Sequence, residues 1–128
     1  MSDVSTAVIA DDEAPARQLL SEYLSRFPQI RVVDVCSDGA QAVQAINEHR
    51  PTLAFLDIHM PLVSGLDVLT RIEWVPRVVF TTAHAEFAVR AFEVNAVDYV
   101  LKPYDFERFS AAVERAIART TSLSFRVS

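Results

Sequence analysis

The run Leu53-Ala54-Phe55-Leu56-Asp57-Ile58-His59-Met60-Pro61 constrains the fold most tightly. It lies between Pro51 and Pro61 and is too short for a core helix, and consecutive apolar side chains need burial on both faces of a strand. Such a strand sits inside a sheet covered by helices on both sides. Its apolar part ends in a carboxylate, Asp57. A lone aspartate there is ordinarily a loop or cap residue, so its meaning depends on what the other strand ends carry.

Four other apolar runs repeat the pattern. Val4 to Ala10 predicts a first strand that stops at Asp11-Asp12-Glu13, and Ile30, Val32, Val33 and Val35 predict a second. Val78 to Phe80 predict a fourth, ending in Thr81-Thr82, and Val97 to Leu101 a fifth, ending in Lys102. Helical spacing fills the intervals. Ala14 to Phe27 places Leu20, Tyr23, Leu24 and Phe27 on one face; Pro15 is tolerated in the first turn, and Pro28 closes the helix. Ser37 or Asp38 caps a helix to about His49 that buries Ala42, Val43 and Ile46. Pro61 to Ser64 reads as a loop and Gly65 as a source of conformational freedom, followed by a short helix carrying Leu66, Leu69 and Ile72 and ending before Pro76. A helix from about Ala85 to Val94 precedes the fifth strand. The last helix starts near Asp105 and carries Phe106, Phe109, Val113 and Ile117 on one face. Short connections between alternating strands and helices demand parallel crossovers, hence a doubly wound α/β fold with a five-stranded parallel sheet and five helices. Residues 1–119 form the domain, and Thr120 to Ser128 reads as a tail or the start of a linker.

At 128 residues and 51% hydrophobic content, the chain suits one domain with its own core. No apolar run approaches the roughly 20 residues of a membrane span, and the N-terminus lacks the pattern of a signal peptide, so a cytoplasmic location without membrane contact is expected. One cysteine, Cys36, excludes an internal disulfide and a thiolate metal site, and reads as a small apolar filler near a strand end. The net charge of −5 and the scattered Lys and Arg provide no stripe for nucleic-acid phosphates.

In open parallel sheets, ligands sit beyond the carboxyl ends of the strands. Those ends carry Asp11 and Asp12, Asp57, Thr82 and Lys102. Carboxylates brought together there repel one another unless a cation sits among them, and hard oxygen donors point to Mg²⁺ before Ca²⁺ or zinc. The histidines show no short helical pairing, and His49 and His84 read as solvated. With the charge neutralised, Asp57 can attack a phosphoryl group and form an aspartyl phosphate, while Lys102 and Thr82 contact the phosphoryl oxygens.

These residues resemble the receiver domains of two-component response regulators. The carriers are Asp11-Asp12, Asp57-Ile58-His59-Met60-Pro61 with Gly65, Thr82-Ala83 and Lys102-Pro103, and the resemblance spans Val4 to about Arg119. It implies a flavodoxin-like sheet in strand order 2-1-3-4-5, with Asp57 as phosphoacceptor. Asp12, Asp57 and the backbone carbonyl of His59 would ligate Mg²⁺, and Asp11 would assist through bound water. Thr82 and Lys102 would read the phosphate, Thr82 and Tyr99 would act as the switch, and the Lys102-Pro103 bond would be cis. The donor would be a sensor histidine kinase, and the output surface the fourth helix, fifth strand and fifth helix, used for homodimerisation on phosphorylation. The segments Phe80 to Ala88 and Ala91 to Tyr99 resemble receivers attached to LytTR-type DNA-binding domains, so that DNA would be reached only through an output domain outside this chain. His59, whose imidazole would lie over the phosphate, leaves the aspartyl-phosphate lifetime open.

Two other functions fit an aspartate so placed. One is a stand-alone receiver acting by protein–protein contact. The other is an aspartate-nucleophile phosphatase of the haloacid dehalogenase type, although His59 stands where those enzymes usually carry a second aspartate and their nucleophile follows the first strand. A flavin or nucleotide binder is disfavoured because Gly39 and Gly65 are the only glycines and form no phosphate-cradling loop.

Overall fold

The computed structural model describes the backbone of residues 4–127 and the side-chain surroundings of residues 4–118. Strands β1 (Ser5–Ala10), β2 (Ile30–Cys36), β3 (Leu53–Asp57), β4 (Arg77–Thr82) and β5 (Asp98–Leu101) pair in parallel in the order β2-β1-β3-β4-β5. The helices are α1 (Ala14–Leu24), α2 (Gly39–His49), α3 (Gly65–Val68), α4 (Ala88–Glu93) and α5 (Phe106–Val127), with a 3-10 turn at Ala85–Phe87 before α4. No described helix is long and apolar enough to cross a membrane. Strand order reverses between β1 and β3, so a crevice opens between their carboxyl ends.

The period-two alternation of the strands builds two core layers. Val8, Ala10, Ala54, Leu56, Val78 and Phe80 pack with Ala42 and Ile46 of α2, Val68 of α3 and Ala91 of α4. Ala7, Ile9, Leu53, Phe55, Val79 and Val100 pack with Leu20 and Leu24 of α1 and Phe109 and Val113 of α5. Every residue of β3 is buried. Cys36 is buried as a filler, and burial, followed by the charges of Asp34 and Asp38, pushes its thiol up to about 12.

Helix ends follow local chemistry, with four departures from the sequence reading. Asp38 caps α2 by accepting from the Gln41 amide at 2.8 Å, and Asp105 accepts from the Arg108 amide at 2.8 Å. Helix α1 stops at Leu24 rather than Phe27, because Pro28 disfavours helical geometry at the residue before it; Phe27 still packs into the core. Helix α3 has only four residues and then loosens into i→i−3 hydrogen bonds from Leu69, Thr70 and Arg71. The fourth helical segment opens with a 3-10 turn. Helix α5 continues to Val127, beyond Thr120, since the stretch holds no Gly or Pro to stop it. Ser128 and the side chains of the expected tail lie outside the described residues.

Gly65 also has a different role from the one its sequence position suggested. Neither glycine has positive φ. What both positions require is room: a Cβ on Gly65 would collide with the Asp57 carbonyl oxygen, and one on Gly39 with the Val63 carbonyl oxygen. Both glycines therefore leave room for a backbone carbonyl in or beside the β3–α3 loop. Alanine at the start of a helix normally gains up to about 1 kcal/mol over glycine. Here Gly39→Ala should instead destabilise by about 1–3 kcal/mol, the usual cost of overpacking, as read from its denaturant midpoint.

Candidate functional site

Parallel strands deliver their carboxyl ends to one edge, so Asp11 after β1, Asp57 ending β3, Thr82 ending β4 and Lys102 after β5 meet there. Carboxylate oxygens of Asp11, Asp12 and Asp57 lie within 4.8 Å of one another. Asp11 is fully buried and Asp12 exposed. An open cleft of about 200 Å³ is lined by Asp12, Glu13, Asp57, His59, Ala83, His84 and Lys102.

The two buried carboxylates are held unequally. Asp11 accepts from the Glu13 amide at 2.9 Å and from Lys102 Nζ at 2.9 Å, and the Arg17 guanidinium donates to its carbonyl at 2.8 Å. Asp57 receives only long contacts, 3.5 Å from Lys102 Nζ and 3.4 Å from the His59 amide. Hydrogen bonds of that length are weak, so Asp57 is the buried carboxylate left free to react. Burial, then the neighbouring Asp11 charge, raise its pKa to about 6 against the opposing pull of Lys102. Burial works against the charge on Lys102, yet its hydrogen bond to Asp11 and the charges of Asp57 and Asp11 outweigh that, and its pKa stands above the ordinary value.

Thr82 is fully buried beneath the cleft, and its Oγ1 accepts from the His84 amide at 3.0 Å. That leaves the hydroxyl proton available to another acceptor. Its neighbour Thr81, opposite Asp57 in the β3–β4 register, carries the one buried side-chain polar atom without a partner among the described residues. Tyr99 is half-buried outside the cleft, in a groove of about 240 Å³ with Ala88, Ala91 and Phe92. The Lys102-Pro103 peptide is cis.

Several neighbours escaped the sequence reading. His84 is exposed, as expected, but its ring lies 4.7 Å edge-on from that of His59, which also meets Phe87 at 4.8 Å. No spacing rule links residues contributed by two separate loops. His49 is exposed and 3.8 Å from Asp34. Tyr104 stacks on Phe109 near the cluster; burial, then the Asp11 charge, push its hydroxyl pKa up.

A carboxylate whose pKa is raised by folding binds its proton more tightly in the native state, so that contribution to stability is present below the usual carboxylate range and lost as pH rises through about 6. Without divalent ions, Asp57→Asn should therefore melt above the wild type near pH 8, by up to about 3 kcal/mol, and the advantage should vanish below about pH 4. Paired thermal melts across this range in EDTA read the difference.

Residues 7–114 match the family described as the response regulator receiver domain. A response regulatory protein of Shewanella oneidensis, described as uncharacterized, is 42% identical over 112 residues, which cover 86% of this chain and 48% of that protein. The sensory transduction protein LytT of Enterococcus faecalis is 40% identical over 112 residues, covering 85% of this chain and 46% of its own. The transcriptional regulatory protein BtsR of Escherichia coli is 40% identical over 114 residues, covering 88% and 46%. Among solved structures, the response regulatory domain of protein mrkE from Klebsiella pneumoniae superposes with a TM-score of 0.81 at 31% identity, covering 89% of this chain and 96% of that one. The chain spans somewhat less than half the length of these curated relatives. With the strand order, the acidic cluster and the lysine in place, the chain belongs to the response regulator receiver domain family and is a receiver of a two-component response regulator.

Proposed function

We propose that Asp57 accepts a phosphoryl group from a sensor histidine kinase and that the resulting aspartyl phosphate switches an output surface. The observation that carries this reading is the unequal grip of Lys102, at 2.9 Å from Asp11 and 3.5 Å from Asp57. The ammonium is anchored on one carboxylate and held within reach of the group that a second would acquire. An Asp57 carboxylate oxygen attacks phosphorus, the P–N bond to the donor imidazole breaks, and its electron pair leaves with the ring. Lys102 then donates to a phosphoryl oxygen, and Thr82 turns its free proton toward another.

Receiver domains bind Mg²⁺ at an acidic pocket, and an all-oxygen donor set of converging carboxylates fits a hard divalent cation. Asp11, Asp12, Asp57 and the His59 carbonyl would hold it. The bound ion would neutralise charge on the carboxylates and on the transferring phosphoryl group.

Downstream, Thr82 and Tyr99 would carry the change to the surface of α4, β5 and α5. There Arg108 holds Asp98 through two 3.1 Å contacts and donates to the Tyr99 carbonyl at 2.8 Å, while Arg115 reaches Asp98 at 2.7 Å. Val89 and Phe92 on α4 and Leu101 at the end of β5 expose apolar surface suited to a homodimer. The similarity to LytT and BtsR favours transcriptional output in the cytoplasm through a LytTR-type DNA-binding domain outside this chain. A stand-alone receiver acting by protein–protein contact uses the same surface.

Incubation with Mg²⁺ and acetyl phosphate should give a single phosphate adduct by intact mass. Asp57→Asn or EDTA should abolish it, and Lys102→Ala should slow it roughly a hundredfold. An unlabelled wild type, under conditions that label a control receiver, would sink the reading. Beryllofluoride, a phosphoryl mimic, should shift the elution volume toward a dimer.

A further inference from the structure

Among the described residues, Thr81 Oγ1 is the one buried side-chain polar atom without a hydrogen-bond partner, and the residue is 0% exposed. The preference of β-branched residues for strands does not account for the hydroxyl. Valine has the same shape, already stands at Val78 and Val79 of the same strand, and would leave nothing unpaired. A buried hydroxyl without a partner lowers stability, so its presence calls for a use.

The surroundings of Thr81 narrow that use. Side chains alternate along a strand, so Thr81 shares a face of β4 with Val79, which packs in the layer of α1 and α5, while Thr82 occupies the other face. In register, Thr81 stands between Val100 of β5 and Asp57 of β3. Asp57 shares its face with Phe55, which belongs to the same layer. Both side chains therefore emerge on one side of the sheet, from strands about 4.8 Å apart. Val100 offers no side-chain acceptor, and Asp11 follows β1, on the far side of β3. Lys102 reaches from the end of β5 to Asp11, at 2.9 Å, so its stem crosses the ends of β4 and β3. An aliphatic stem crossing there excludes water without supplying a partner. Two under-satisfied groups are thus neighbours: a donor with no acceptor, and a carboxylate whose contacts, at 3.4 and 3.5 Å, are both long.

We propose that Thr81 is a positioning residue for the phosphoacceptor: its hydroxyl turns to donate to one oxygen of the Asp57 carboxylate and so aims the other at the incoming phosphorus. The proposal rests on the phosphoacceptor reading of Asp57. A change of staggered rotamer is enough to turn Oγ1 toward β3. The hydroxyl keeps its proton throughout. Before transfer it holds a carboxylate oxygen; afterwards that oxygen is the carbonyl of the acyl phosphate and still accepts, while the new P–O bond lies on the other. Orientation matters more than the contact itself, since misplacement by about 1 Å costs roughly a hundredfold in rate.

The test separates the hydroxyl from the shape of the side chain. Thr81→Val keeps the shape and removes the hydroxyl; Thr81→Ser keeps the hydroxyl. In EDTA, Thr81→Val should melt at or above the wild-type temperature, because it buries no unpaired group. With Mg²⁺ and acetyl phosphate its labelling rate should nevertheless fall about tenfold, while Thr81→Ser stays within about threefold of the wild type. Beryllofluoride with Mg²⁺, whose binding needs no turnover, should bind Thr81→Val about tenfold more weakly than the wild type. Wild-type labelling or wild-type beryllofluoride affinity in Thr81→Val overturns the proposal. So does a loss accompanied by a lower melting temperature, which would make Thr81 a support of its strand, and so does a Thr81→Ser as slow as Thr81→Val. If acetyl phosphate labels the wild type and Thr81→Val equally, positioning falls and the phosphoacceptor reading stands; if the wild type stays unlabelled where a control receiver is labelled, both fall.

Discussion

The Lys102 ammonium, 2.9 Å from Asp11 and 3.5 Å from Asp57, is the contact on which the rest of the site depends. Two carboxylates at buried strand ends repel each other, and burial removes the water that would otherwise screen them. One lysine offsets part of that repulsion, and its unequal distances decide the division of labour. Asp11 receives the good hydrogen bonds. Asp57 is left with long ones and a raised pKa.

That arrangement requires a loop that does not yield. Asp57 is followed within eight residues by a positive-φ leucine, an i→i+2 turn and a glycine against its own carbonyl. Gly39, at the start of α2, lies against the Val63 carbonyl of the same loop. The glycines thus act through the space they leave, and the left-handed conformation that glycine usually supplies falls instead on Leu62. Asp57 is positioned by backbone packing between two chain segments as much as by its own strand.

On the opposite flank, the Thr82 hydroxyl accepts from the His84 amide while Tyr99 lies outside the cleft beside α4. Arg108 ties the Tyr99 carbonyl and Asp98 to α5. A change in the hydroxyl's partner therefore bears directly on the loop that leads into α4. Short elements there, a 3-10 turn and a six-residue helix, leave few hydrogen bonds to resist such a change.

The fold and the central residues were legible from sequence because parallel strands obey two local rules. Apolar runs ending in Asp11, Asp57, Thr82 and Lys102 announced both the strands and the edge where they finish, and Asp38 and Asp105 marked helix starts by their capping chemistry. Helix ends were read less well: Pro28 ended α1 early, and nothing ended α5 at Thr120. Tertiary structure alone decided which aspartate Lys102 holds closely, the His59–His84–Phe87 contact, the reason for each glycine and the strain at Leu62. Those depend on distances between segments far apart in the chain. Local pattern fixes which face or end of an element a residue occupies, whereas close approach is set only when the layers pack.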